Sequence, residues 1–153
     1  MAVRVAEPRT GLGDVCARIL GGLTAWFGIP ETTMDYIAHV DSHPTWSAVD
    51  GDGRVIGLLD VVRHFPESAE IHIMAVDAEF RGRGVGSALI EAAVAHLRGD
   101  GARLLQVETL AASDPDPGYA ETRAFYLAQG FAPLEEVEIW GPDNPALILV
   151  EPL

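Results

Sequence analysis

Two stretches of this sequence place reactive residue types at spacings that suit chemistry. The first is Arg81-Gly82-Arg83-Gly84-Val85-Gly86-Ser87. Its alternating glycines remove Cβ atoms, so successive backbone N–H groups can converge on one anion. The turn opens a helical pattern, and a helix N-terminus adds partial positive charge at the same place. Arg81 and Arg83 add two full charges, so the segment predicts a phosphate cradle. The second stretch is Glu70-Ile71-His72. Here a carboxylate and an imidazole share one strand face, with Cα atoms ~6.5–7 Å apart. A carboxylate beside an imidazole favours the charged ring and brings its pKa near working pH, which suits proton transfer.

Composition narrows what such residues can do. Among 153 residues, 23 acidic side chains oppose 10 basic ones, for a net charge of −13. A field of that sign repels phosphate backbones and anionic lipid and attracts amines. Nucleic acid and membrane are therefore not expected partners, whereas a small cationic amine is. All ten basic residues are Arg. Without Lys there is no P-loop lysine and no Schiff-base chemistry. The single Cys16 excludes an internal disulfide and, in an apolar helical stretch, reads as a small core residue. His39-Val40-Asp41-Ser42-His43 spaces potential metal ligands two apart. No fourth ligand lies nearby, so the segment reads as a solvated helix end and no metal is expected. No apolar run approaches the ~20 residues of a membrane span. Met1–Thr10 lacks the apolar stretch of a signal peptide, so a soluble, cytoplasmic chain is expected. Its length suits one domain, residues 1–153.

Periodicity supplies the frame that must hold these residues. Val3 and Val5 begin a short strand, Leu12 to Phe27 is broadly helical, and Gly28-Ile29-Pro30 stops it. Glu31 to Val40 reads as a second helix. Thr45–Val49 and Arg54–Arg63 flank the turn Asp50-Gly51-Asp52-Gly53 as a hairpin. Glu70–Val76 is a strand, and the glycine turn leads into a helix ending near Arg98, with Leu104–Thr109 as the next strand. Tyr119–Gln129 is helical, with Gly130 as its left-handed cap and Phe131 packing back. Glu135–Trp140 and Ala146–Val150 are the last strands. The sum is an α/β domain with a mixed, mostly antiparallel sheet of six to seven strands, flanked by helices around one parallel βαβ unit.

A dinucleotide fold would place G-x-G-x-x-G directly after its strand, with an acid about 20 residues on. Glu108 could be that acid. However, Ser87 stands at the third glycine position, and Asp77-Ala78-Glu79-Phe80 separates strand from glycines. Arg81-x-x-Gly84-x-Gly86 instead resembles the acyl-CoA pyrophosphate motif Q/R-x-x-G-x-G/A of the GCN5-related N-acetyltransferases (GNAT). Met74-Ala75-Val76-Asp77 resembles the strand running into that motif. Phe125-Tyr126 with Gly130-Phe131 resembles the family's late helix, F-Y-x-x-x-G-F.

The resemblance implies a bacterial, small-molecule type of N-acetyltransferase. Acetyl-CoA would lie between the strands Ile71–Val76 and Leu104–Glu108. Backbone at Met74, Ala75 and Val76 would pair with its pantetheine arm, and the amides of Gly82 to Ser87, beside Arg81, would hold its pyrophosphate. The acetyl group would pass directly to an amine in a ternary complex. Tyr126 matches the usual general acid, and Glu70, His72 or a water would serve as base. Tyr119, Thr122, Arg123 and Tyr126 form one helical stripe. On it Arg123 is the candidate for a CoA phosphate and Tyr119 for the substrate side, while Trp26, Phe27 and Tyr36 are candidate acceptor walls. Two other readings stay open: a non-catalytic acyl-CoA-binding sensor on the same fold, and a nicotinamide-dependent oxidoreductase. A homodimer formed through the C-terminal strands also stays open.

Overall fold

In the computed structural model, which describes residues 3–23, 27, 29–111 and 117–153, seven strands form one mixed sheet. In chain order the elements are β1 (Arg4–Arg9), α1 (Gly13–Gly21), α2 (Pro30–Ser42), β2 (Thr45–Val49), β3 (Val55–Phe65) and β4 (Ser68–Val76). A 3-10 helix (Ala78–Phe80), α3 (Val85–Gly99), β5 (Leu104–Leu110), α4 (Pro117–Ala128), β6 (Ala132–Val137) and β7 (Ala146–Pro152) follow. The strand order is β1-β2-β3-β4-β5-β7-β6. β4 and β5 are parallel, while β1–β2, β2–β3, β5–β7 and β6–β7 are antiparallel. The expected mixed sheet with a parallel β4-α3-β5 unit is present. No helix among the described residues is long and apolar enough to cross a membrane.

The chain divides into two compact units. One runs to Val61 and resumes over His72–His96; the other comprises Val62–Ile71 and Leu97–Leu153. In the first, the apolar face of α1 (Cys16, Ile19, Leu20) packs with Leu12, Leu23, Val40 of α2, Leu58 of β3, and Ile73 and Ala75 of β4. Gly13 brings α1 and α2 together: its N–H donates to Asp41 Oδ1 at 3.1 Å, and a Cβ there would lie 2.8 Å from Asp41 Cβ. The helix expected over Leu12–Phe27 ends at Gly21, because adjacent glycines lower helix propensity and Gly22 forms the C-cap. Proline at the first turn of α2 needs no N–H there, so Pro30 starts a helix where the sequence pattern marked a stop.

Cys16 is fully buried, and burial, with the nearby Asp60 charge, pushes its thiol up to about 12. A thiol so held presents almost no thiolate at neutral pH. Native protein is therefore expected to leave Ellman's reagent uncoloured, while denatured protein should titrate one thiol per chain. Rapid native labelling would show that the α1 core opens readily.

In the second unit β5 pairs with β7 from Leu104↔Pro152 to Leu110↔Ala146. Gly130 adopts φ +106, Phe131 N–H donates to Tyr126 O at 3.1 Å, and the Phe131 ring sits edge-on to Tyr126 at 5.3 Å. This is the expected cap. The strand expected at Glu135–Trp140 lies instead at Ala132–Val137. Its ladder ends at Val137↔Ala146, the first residue of β7, which leaves Ile139 and Trp140 exposed beyond it.

Candidate functional site

The glycine turn lies in the first unit, where β4 leads into α3. Asp77 caps the intervening 3-10 helix: Oδ1 accepts from Glu79 N–H at 3.0 Å and Oδ2 from Arg54 Nη2 at 3.3 Å, while its own N–H donates to Ile56 O at 2.8 Å. The segment separating strand from glycines is thus an ordered turn. Gly82 (φ +73) and Gly84 (φ +82) take left-handed backbone that side-chain-bearing residues seldom adopt, and a Cβ at either would meet nothing within 4 Å. Both Cβ positions face open space. Ala88 N–H donates to Gly84 O at 3.1 Å, so the amides of Val85, Gly86 and Ser87 precede this first turn of the helical ladder. Arg83 lies 5.5 Å from the centre of the Phe80 ring, and both Arg81 and Arg83 are exposed. Gly57 of β3 seats the start of α3, since a Cβ there would lie 2.8 Å from Val85 Cγ1.

The same unit contains a buried polar cluster. Asp60 sits in the apolar run of β3 and is fully buried. Its Oδ1 accepts from Ile73 N–H at 3.1 Å, and its Oδ2 lies 2.5 Å from His39 Nδ1. The His39 ring lies 4.3 Å from that of His72 and stacks on His43 at 3.9 Å. Tyr36, one turn earlier on α2, is edge-on to His72 at 5.3 Å and to Phe27 at 5.7 Å. Burial pushes the Asp60 carboxyl above the usual carboxylate range, against the pull of the His39 hydrogen bond, the His39 and His72 charges, and the Ile73 N–H. Phe27, Tyr36 and His72, singled out from sequence, are therefore brought together. Trp26 lies outside the described residues. His39 and Asp60 were missed as site residues; the signals available were the i, i+3 spacing of Tyr36 and His39 and an acid inside Val55–Val62. Among the described residues no group of three or more His, Cys, Asp or Glu is arranged to hold a metal ion.

The second unit holds the remaining candidates. Glu70 Oε1 lies 2.8 Å from His64 Nε2 and accepts from Gln106 Nε2 at 3.0 Å. Glu70 and His72 keep the alternation expected along β4, half-buried between buried Ala69, Ile71 and Ile73. The carboxylate bound to His39 is that of Asp60. Burial, reinforced by the Glu70 charge and opposed by His64, pushes Glu108 above its ordinary value. Tyr126 is 4% exposed, edge-on to Phe125 and Phe131, and burial pushes its phenol pKa above the ordinary tyrosine value. Arg123 Nη1 donates to Ala111 O at 3.2 Å, and Tyr119 is half-buried one turn before it. Among the described residues the β4–β5 ladder comprises three pairs, Ser68↔Leu104 to Glu70↔Gln106; beyond it Met74 and Val76 are half-buried and Ala75 is buried.

A family model described as an acetyltransferase (GNAT) domain matches residues 41–133. A mycothiol acetyltransferase of Corynebacterium glutamicum is 30% identical over 87 residues, which is 57% of this chain and 30% of that protein's length. Among solved structures, Ard1 from Thermoplasma volcanium matches with a TM-score of 0.77 at 21% identity, over 100% of this chain and 99% of that one. A GNAT family acetyltransferase from Elizabethkingia anophelis with acetyl-CoA bound gives 0.74 at 17% identity, over 99% and 98%. These two likenesses are of fold. The matched segment contains the glycine turn and all of α4 and spans more than half of the sequence: the chain belongs to the GNAT acetyltransferase family.

Proposed function

We propose that the chain, acting as one domain over residues 1–153 in the cytoplasm, transfers an acetyl group from acetyl-CoA to the amine of a small cationic acceptor. The glycine turn carries this reading. Two glycines with positive φ, open space at their Cβ positions, a helix start and two exposed arginines combine where an acidic chain has least reason to gather positive charge. In this reading the amides of Gly82 to Ser87, with Arg81 and Arg83, bind the pyrophosphate, and Met74–Val76 pair with the pantetheine arm. The short β4–β5 ladder is consistent with that pairing. Tyr126, a phenol protonated at neutral pH, gives its proton to the departing thiolate. His72, or Glu70 through water, takes a proton from the acceptor. Phe27, Tyr36 and Tyr119 shape the acceptor side, and Arg123, whose Nη1 also donates to Ala111 O, binds a CoA phosphate.

Titration calorimetry with acetyl-CoA, and NADH as control, tests the reading. Micromolar acetyl-CoA binding without NADH binding is expected, and thiol release should follow with at least one member of a small-amine panel. Folded protein that ignores acetyl-CoA would sink the proposal. Binding with no thiol release across the panel would point to an acyl-CoA sensor.

A further inference from the structure

We infer that Asp60 and His39 are positioning residues that set the orientation and basicity of His72 as the proton acceptor for the substrate amine. The inference rests on the acetyltransferase reading above. A carboxylate buried in an apolar strand is hard to explain by stability, since a buried ion pair seldom outperforms well-packed apolar side chains. Both Asp60 oxygens are instead directed to the surroundings of one residue. Oδ1 accepts from the N–H of Ile73, the chain neighbour of His72, and Oδ2 holds Nδ1 of His39, whose ring packs on that of His72. Tyr36 flanks the His72 ring as well. The His72 ring is thus flanked by Tyr36 and His39 of α2, with the Asp60 carboxyl of β3 bound to His39 behind them. Tyr36 and His39 both precede residue 41, where the family match begins, so this arrangement lies partly outside what the family match covers.

Charge coupling is reciprocal: the pull of His72 on Asp60 implies that Asp60 favours a protonated His72. The step balances simply. One N–H bond of the acceptor ammonium breaks and one N–H bond forms on the His72 imidazole, leaving a neutral amine and an imidazolium. The imidazolium later returns its proton to water. The titratable groups facing the cluster are Cys16 from α1, whose thiol stays neutral, Tyr36, His39 and His43 from α2 and its C-cap, and His72 from β4.

The test compares Asp60→Asn and His39→Gln with the wild-type protein. Both variants are expected to bind acetyl-CoA as the wild type does. Each should lose about tenfold or more in kcat/KM for the acceptor. The acidic limb of the pH profile should move down by about one pH unit in Asp60→Asn, because the imidazolium loses its countercharge. Nitrogen-15 NMR of the imidazoles reads the same shift at His72 without turnover. If Asp60→Asn fails to fold, His39→Gln, at a partly exposed ring, carries the test. Unchanged kcat/KM, pH profile and His72 titration in a folded variant would overturn the inference. Failure of the wild type itself to bind acetyl-CoA would overturn the acetyltransferase reading, and the His72 titration would then still judge the coupling.

Discussion

Tyr126→Phe is expected to lower kcat roughly 100- to 10,000-fold while leaving acetyl-CoA affinity unchanged to within about twofold, the range a general acid contributes. The substitution removes one hydroxyl and keeps the ring. The edge contacts with Phe125 and Phe131 that close α4 should therefore survive, and with them the fold. Burial pushes the phenol pKa above the ordinary tyrosine value, so Tyr126 is protonated through neutral pH, the form the proposed general acid must start from. Steady-state kinetics and calorimetry on the same preparation read the two quantities. Unchanged kcat would make Tyr126 a packing aromatic and move the acid elsewhere.

The second large effect is expected at the glycine turn. Gly84→Val should weaken acetyl-CoA binding about 10- to 100-fold. A β-branched residue held at φ +82 carries strain on the order of 1–3 kcal/mol, and each 1.4 kcal/mol is about tenfold in affinity. The added side chain meets nothing within 4 Å, so the damage is confined to backbone that must relax away from the conformation that aims the amides. Gly53 is the control. It shares a positive φ of +84 and open surroundings but closes the β2–β3 turn after Asp50 rather than the turn that opens α3. Gly53→Val should cost similar stability and leave acetyl-CoA affinity intact. Equal affinity for Gly84→Val and the wild type would remove the turn from the binding site.

Much of this protein was legible in its residues because much of it is short-range. The positive-φ glycines, the helix they open, the cap at Gly130 with Phe131, and the alternation along Glu70–Val76 depend on dihedral preference and period, which neighbours in sequence determine. The same information led to the family through Arg81-x-x-Gly84-x-Gly86 and Phe125-Tyr126. What it misjudged was decided by partners far along the chain. β6 ends at Val137 because β7 begins at Ala146, not because of its own composition. Strand spacing put Glu70 and His72 on one face, but it gave no sign of the contacts Glu70 makes with His64 and Gln106. His39, read as part of a solvated helix end, meets Asp60 across 21 positions of sequence. Local spacing sets which backbone a segment prefers; which buried carboxylate meets which imidazole is set when α2 packs on the sheet, and only that packing brings the charges within range of one another.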